Sequence, residues 1–185
     1  MDDTKLMLRK GFTLIELLIV IAVLGILAVA VLAAINPIEQ INRSRDTGSR
    51  SDAEQLIGGI DRFYATNGYY PWQTAPTDPE AVTWTQVTPA WTDGVEAVLD
   101  KLSAAGTEEL KQSFTNRITD SGYNPLWVYN AGTAGSATYI CFQAKSGAFQ
   151  TEAEGRCANM PSDAPGEACP SATCAADKDC FSCLP

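Results

Sequence analysis

"GFTLIELLIVIAVLGILAVAVLAAINP", residues 11–37, decides how the chain is built. From Phe12 to Ile35 only Thr13 and Glu16 are polar. As a helix this stretch is about 36 Å long, enough to cross a hydrocarbon core of about 30 Å. A cleaved secretory signal has an apolar region of only about 7–15 residues, so this run is too long for one. That rival reading would place a cleavage site after "AVA" (28–30) or "LAA" (32–34) and release a soluble, cysteine-rich protein. Lys5, Arg9 and Lys10 precede the run and hold the front end in the cytoplasm. Arg43, Arg45 and Arg50 beyond it weaken the asymmetry. The expected topology is one pass, N-terminus in, C-terminus out.

Glu16 breaks the pattern. An ionised acid at mid-bilayer costs on the order of 3 kcal/mol on the lenient insertion scale, and less near the end of a span. A plain anchor needs no such group. Within one chain, an acid in the first helical turns suits the positive end of the helix. The bland alternative is a snorkelling or protonated carboxyl in an ordinary anchor.

With its basic leader, "KGFTLIELLIVIAVLGILA" resembles the processing and polymerisation segment of type IV pilins and of the pseudopilins of type II secretion. The resemblance implies that prepilin peptidase cuts between Gly11 and Phe12, removing residues 1–11 as a leader. It also implies N-methylation of Phe12 and makes Glu16 the assembly acid. The new amine would lie about 6 Å along the helix from Glu16. Between chains the match is better, because one subunit's Glu16 can neutralise another's Phe12 ammonium. Such a pair is strong only when both charges meet, and methylation leaves the amine cationic.

The resemblance supplies partners too: copies of the chain in a helical filament, the peptidase, an inner-membrane assembly platform with a separate ATPase, and the membrane. One departure matters. Many relatives carry proline where Ala33 stands, whereas this chain has Pro37. Proline loosens a helix, and Gly25 adds a weak point of about 1 kcal/mol. Any stretch that melts during assembly is therefore expected between Gly25 and Pro37.

After Pro37 the pattern becomes one-sided. Ala53, Leu56, Ile57, Ile60, Phe63 and Tyr64 recur at helical spacing and predict a buried stripe, with Ile38 and Ile41 opening the same helix. "NRSRDTGSRSD" reads as polar all round, a rod between membrane and head. Gly58 and Gly59 permit close approach of the head. Asn67-Gly68 caps the helix and Pro71 stops it. The helix followed by "NGYYP" also resembles the major-pseudopilin branch.

Residues 71–91 show no clear period and are expected to form a long loop. A short helix is expected over 94–106, with Val95, Val98, Leu99 and Leu102 on one face and Gly106 closing it. "TEELKQSF" reads as another, capped by Thr107. Strands are expected at 126–130, 137–144 and 148–153, with "AKSGA" as the last hairpin turn. In the middle strand Ile140, Phe142 and Ala144 are the core face, set against the Leu56–Phe63 stripe. The fold class is α+β: a long N-terminal helix over 12–66, membrane-spanning in 12–35, laid on a small antiparallel sheet. The head spans 67–156 and a Cys-rich tail spans 157–185.

The net charge is −9, and losing residues 1–11 makes the chain more acidic, so nucleic acid is a poor general partner. The absence of histidine removes Ser-His-Asp and Cys-His catalysis and all His-ligated metal sites. Nothing points to an enzyme, a metal or another cofactor. The acidic trio Glu167, Asp177 and Asp179 is read as a solvated loop rather than a calcium site. Trp72, Trp84, Trp91 and Tyr70 are read as packing groups rather than a sugar-binding platform.

Six cysteines, Cys141, Cys157, Cys169, Cys174, Cys180 and Cys183, lie in the last quarter and favour disulfides in an oxidising compartment. The resemblance implies a Cys141–Cys157 bridge that pins the C-terminal region, leaving two more bridges in the tail. The alternative is a zinc site in the tail, with Cys180-x-x-Cys183 at ligand-like spacing. Without cross-links or metal the tail should be disordered.

The leading expectation is a structural subunit stored in the cytoplasmic membrane and displayed outside as a surface pilus. A pseudopilin of a secretion piston is the alternative: "NGYYP" leans that way, and the long Cys-rich tail leans towards an exposed fibre. A scarce tip adhesin is a third reading.

Overall fold

A computed structural model describes residues 11–34, 36–104, 108–133, 135–170 and 180–185. The chain divides into two units, one ending at Ile38 and the other running from Glu39 to Pro185. The first holds helix α1 (Leu14–Ala34); helix α2 (Pro37–Asn67) opens at the junction and supplies the head's main helix.

The buried stripe of α2 includes the expected Ala53, Leu56, Ile60 and Phe63, but it does not begin there. Asp46, Ser49 and Asp52 are buried as well. The same three- and four-residue steps run from Asp46 and Ser49 through Ala53, Leu56 and Ile60 to Phe63. The stretch read as polar all round is thus one-sided after all, with polar groups on the buried face. Ile38 and Ile41 instead stay exposed. The helix ends as expected: Gly68 takes φ +76° and donates its N–H to the Tyr64 carbonyl at 2.8 Å.

Four strands follow in antiparallel order β1 (Val82–Gln86), β2 (Leu126–Asn130), β3 (Thr138–Gln143) and β4 (Phe181–Leu184). Leu126, Val128, Ile140 and Phe142, with Leu184, form one core with the α2 stripe and Ala144. The core face expected for the middle strand is the observed one. The other face is covered as well. Tyr139 and Cys141 pack with Trp84, Trp127 and Phe181 beneath Met160, Ala164 and Ala168. Burial on both sides explains why "TYICFQ" is nearly continuously apolar.

Two strands lie where none was expected. β1 sits inside the supposed loop, broken by an irregularity between Val82 and Thr85. β4 lies in the tail, where Phe181 and Cys183 face the second, covered side of the sheet and Ser182 and Leu184 face the main core.

The expected strand 148–153 is instead part of helix α5 (Gly147–Cys157). Phe149 and Ala153, the residues that suggested alternation, are four apart and share one buried helical face. Ser146 caps this helix, accepting the Phe149 N–H at 3.4 Å. Helix α3 (Val98–Ser103) is shorter than expected. Asp93 accepts the N–H groups of Val95 and Glu96 at 2.7 Å each, which holds the chain in a turn and leaves Val95 exposed.

Helix α4 (Gln112–Ile118) starts later than expected. The cap residue Thr107 and the closing Gly106 lie outside the described residues. Leu110, expected within a helix, is a plug instead. It sits on Gly59, where a Cβ would come within 2.7 Å of its side chain, so the close approach read from Gly58-Gly59 is real.

The bridges differ from the expected set. Cys141 joins Cys183, and Cys157 joins Cys169. Cys141 lies directly across from Cys183 in the β3–β4 register, whereas Cys157 ends α5. The unforeseen β4 therefore dictates the pairing. Cys180 is also disulfide-bonded, so Cys169, Cys180 and Cys183 are not thiolate ligands and the zinc alternative fails. Cys174, Asp177 and Asp179 lie outside the described residues.

Loop length sets the expected cost of losing each bridge. Cys141–Cys183 spans 42 residues and Cys157–Cys169 spans 12. On the chain-entropy model these are worth about 4 and about 3 kcal/mol. Urea unfolding of the two paired Cys→Ser variants should rank them in that order. A reversed ranking would mean that β4 contributes little to holding the sheet.

Candidate functional site: the N-terminal segment

Helix α1 is apolar on every side, and each of its large apolar residues is about half exposed or more, from Val20 at 48% to Leu14 at 82%. No head core needs such a surface; lipid or other apolar helices do. The stretch Leu14–Ala33 is long and apolar enough to cross a membrane. Gly25 lies inside α1 without interrupting it, and Pro37 is the first residue of α2. At that position proline sacrifices no helical hydrogen bond.

At the head of α1 the side chains of Thr13 and Glu16 close a reciprocal cap. The Glu16 N–H donates to Thr13 Oγ1 at 3.2 Å. Glu16 Oε2 accepts the Thr13 N–H and the Thr13 hydroxyl, each at 2.8 Å. A helix start leaves its first N–H groups without intrahelical partners, and this Thr-x-x-Glu box satisfies two of them. Thr13 was the residue that sequence reasoning overlooked, although the box is legible in "TLIE". The cap uses one carboxylate oxygen, while a carboxylate offers about four acceptor positions. Gly11 and Phe12 precede the cap and are exposed, Phe12 at 87%.

Several polar residues of the head are engaged in holding the fold. Asp163 accepts the Ala137 N–H at 3.0 Å and the Tyr139 hydroxyl at 3.2 Å. The backbone donor holds its carboxyl below the usual range, while burial pushes the Tyr139 phenol up. Glu152 takes both Arg50 and Arg156, and the Arg50 hydrogen bond keeps its carboxyl low. The tryptophans read as packing groups do pack. Trp72 and Trp91 are buried, Tyr70 stacks on Trp72 at 4.5 Å, and Trp84 stacks on Trp127 at 5.3 Å.

The prokaryotic N-terminal methylation motif matches residues 6–32, which take in Gly11, Phe12, Thr13, Glu16 and nearly all of α1. In this segment the chain resembles the type IV pilins. A relative extends the likeness of this pilin-like chain into the head. Fimbrial protein EcpC of Eikenella corrodens is 27% identical over 149 residues, covering 77% of this chain and 95% of the relative. No solved structure matches the pilin-like chain. Motif, apolar helix and fimbrial relative together fit a membrane-anchored structural subunit.

Proposed function

We propose that the chain is the structural subunit of a type IV pilus, cut by prepilin peptidase between Gly11 and Phe12 and N-methylated at Phe12. It waits in the cytoplasmic membrane with its N-terminus inside, and then polymerises through α1 at an assembly platform. Glu16 meets the Phe12 ammonium of a neighbouring copy. The observation that carries this reading is the single acid of α1, set inside a methylation motif and three residues into an otherwise apolar helix.

The Thr13–Glu16 cap is compatible with that role. Cleavage before Phe12 leaves the Thr13 N–H in its peptide bond, so the cap survives processing. The carboxylate is thereby held at the helix end where the neighbour's cation arrives. Charge and cap favour the same place, since an anion is stabilised at the positive end of a helix. The parts of the subunit follow: leader 1–11, long helix 12–66 with its polymerising part at 12–35, head 67–156 and Cys-rich tail 157–185.

A pseudopilin of a type II secretion system uses the same N-terminal chemistry, and the resemblance of the helix followed by "NGYYP" leans towards it. Electron microscopy of sheared cells separates the two. Long surface fibres that bind antibody to this head are expected for a pilus. No fibres, with a secretion defect on deletion, would assign the chain to the secretion machine.

A further inference from the structure

The head is strongly acidic, yet one of its clefts gathers three cations against one acid in its lining. Between α2 and the turn after α4 lies a cleft of about 340 Å3 into which Arg45, Arg117 and Lys145 are gathered. They come from three separate elements: α2, α4 and the β3–α5 turn. Asp52 is the acid in the lining, and it is already committed, taking Arg117 in a two-pronged pair at 2.7 and 3.3 Å. Among the described residues no carboxylate pairs with Arg45 or Lys145. The nearby Asp46 is no substitute, because its carboxylate is buried and turned onto backbone donors.

The Arg117 guanidinium is fixed three times, by Asp52, by the Phe114 ring at 5.4 Å and by the Tyr123 ring at 5.7 Å. Ser44 and Tyr123 add hydroxyl groups to the lining. In the lining three cations face one committed acid, and counting the buried Asp46 carboxylate behind Lys145 still leaves one positive charge in excess. Such an arrangement complements a compact oxyanion better than a flat surface.

We infer that this cleft binds a phosphate group through Arg45, Arg117 and Lys145. The phosphate comes either from the headgroup of an anionic phospholipid or from free phosphate. The first source rests on the membrane-stored subunit proposed above: Arg45 follows the end of α1 by eleven residues, at most about 40 Å of chain. The second source does not depend on that reading.

The test uses the full chain in nonionic detergent, with the arginine Nε–Hε signals followed by NMR as inorganic phosphate is added at fixed ionic strength. Arg45 and Arg117 should shift together and saturate. The double variant R45Q/K145Q should weaken binding at least ~10-fold. R43Q/K111Q, which removes as much charge outside the cleft, should stay within ~2-fold. Shifts that never saturate, or equal weakening by both variants, would overturn the site.

The source is read in phosphate-free buffer, with the chain in nanodiscs containing phosphatidylglycerol. Signals already at their saturated positions assign the phosphate to the lipid. Signals unmoved there, with saturable binding of inorganic phosphate, assign it to the free ion and leave the pilus reading standing. Shifts that grow with protein concentration in the absence of any phosphate would overturn the inference in favour of a carboxylate from a second copy.

Discussion

Glu16→Val chains should enter the membrane in parental amounts and build no fibres. Insertion depends on the apolar length of α1, which the substitution extends. Assembly depends on the charge. A neighbour's Phe12 ammonium brought into an apolar bundle without its carboxylate carries a penalty of about 3–5 kcal/mol. At 1.4 kcal/mol per tenfold, each contact weakens by roughly 10²–4 × 10³. The substitution also removes the Thr13–Glu16 cap, worth about 1 kcal/mol, so valine alone does not separate the two roles.

Glu16→Gln does separate them, because glutamine at the same position sustains a capping box but carries no charge. Pairing predicts that the glutamine chain fails as the valine chain does. Quantitative blots of membrane and sheared-fibre fractions measure both steps. Fibres from Glu16→Gln at parental yield would reduce the acid to a cap.

Asp46→Ala should be the most damaging change in the head, costing about 5 kcal/mol. This carboxylate is fully buried. It accepts the Ser146 N–H and the Ser146 hydroxyl at 2.7 Å each, and the Lys145 N–H at 3.1 Å. Ser146 is in turn the cap of α5, and Glu39, two turns earlier on α2, accepts the Gly147 N–H at 2.9 Å. Two acids of α2 thus fasten the start of α5, where negative charge is also favoured by the helix dipole. Alanine leaves three donors without an acceptor in a buried place, at about 1–3 kcal/mol each before any water enters. Asparagine keeps one acceptor oxygen and should lose about half as much. Urea unfolding of the soluble head signal measures this. A loss under about 1 kcal/mol for alanine would show that the latch is replaceable by solvent.

The legible parts of this chain were those governed by one strong local signal. An uninterrupted apolar run of α1 length has few alternatives, and Asn67-Gly68 can hardly be anything but a helix end. The apolar half of the α2 stripe is equally clear from Ala53 to Phe63, although Ile57 is only half-buried and Tyr64, expected in the stripe, stays exposed. Its polar half was missed because hydropathy was read in place of spacing: Asp46 and Ser49 keep the step of Ala53 and Leu56. Helix α5 imitates a strand in sequence because Phe149 and Ala153 satisfy both periods, and only the Ser146 cap separates the two.

The outcome for the cysteines has a different origin. Cys141 can be paired correctly only once β4 is placed beside β3, and four residues of alternation within a Cys-rich tail give little warning of a strand. For the candidate N-terminal site, Glu16 stands out by composition as a lone acid in an apolar run, whereas Gly11 and Phe12 come only from the family resemblance. Thr13 does not stand out, since one hydroxyl in an apolar run looks incidental until the box closes on Glu16.

The proposal stands on a free, cationic amine appearing at Phe12. Mass spectrometry of the mature chain's N-terminal peptide measures that amine directly. The account predicts a chain beginning at N-methylated Phe12. A chain beginning at residue 31 or 35, or one still carrying residues 1–11, would contradict it.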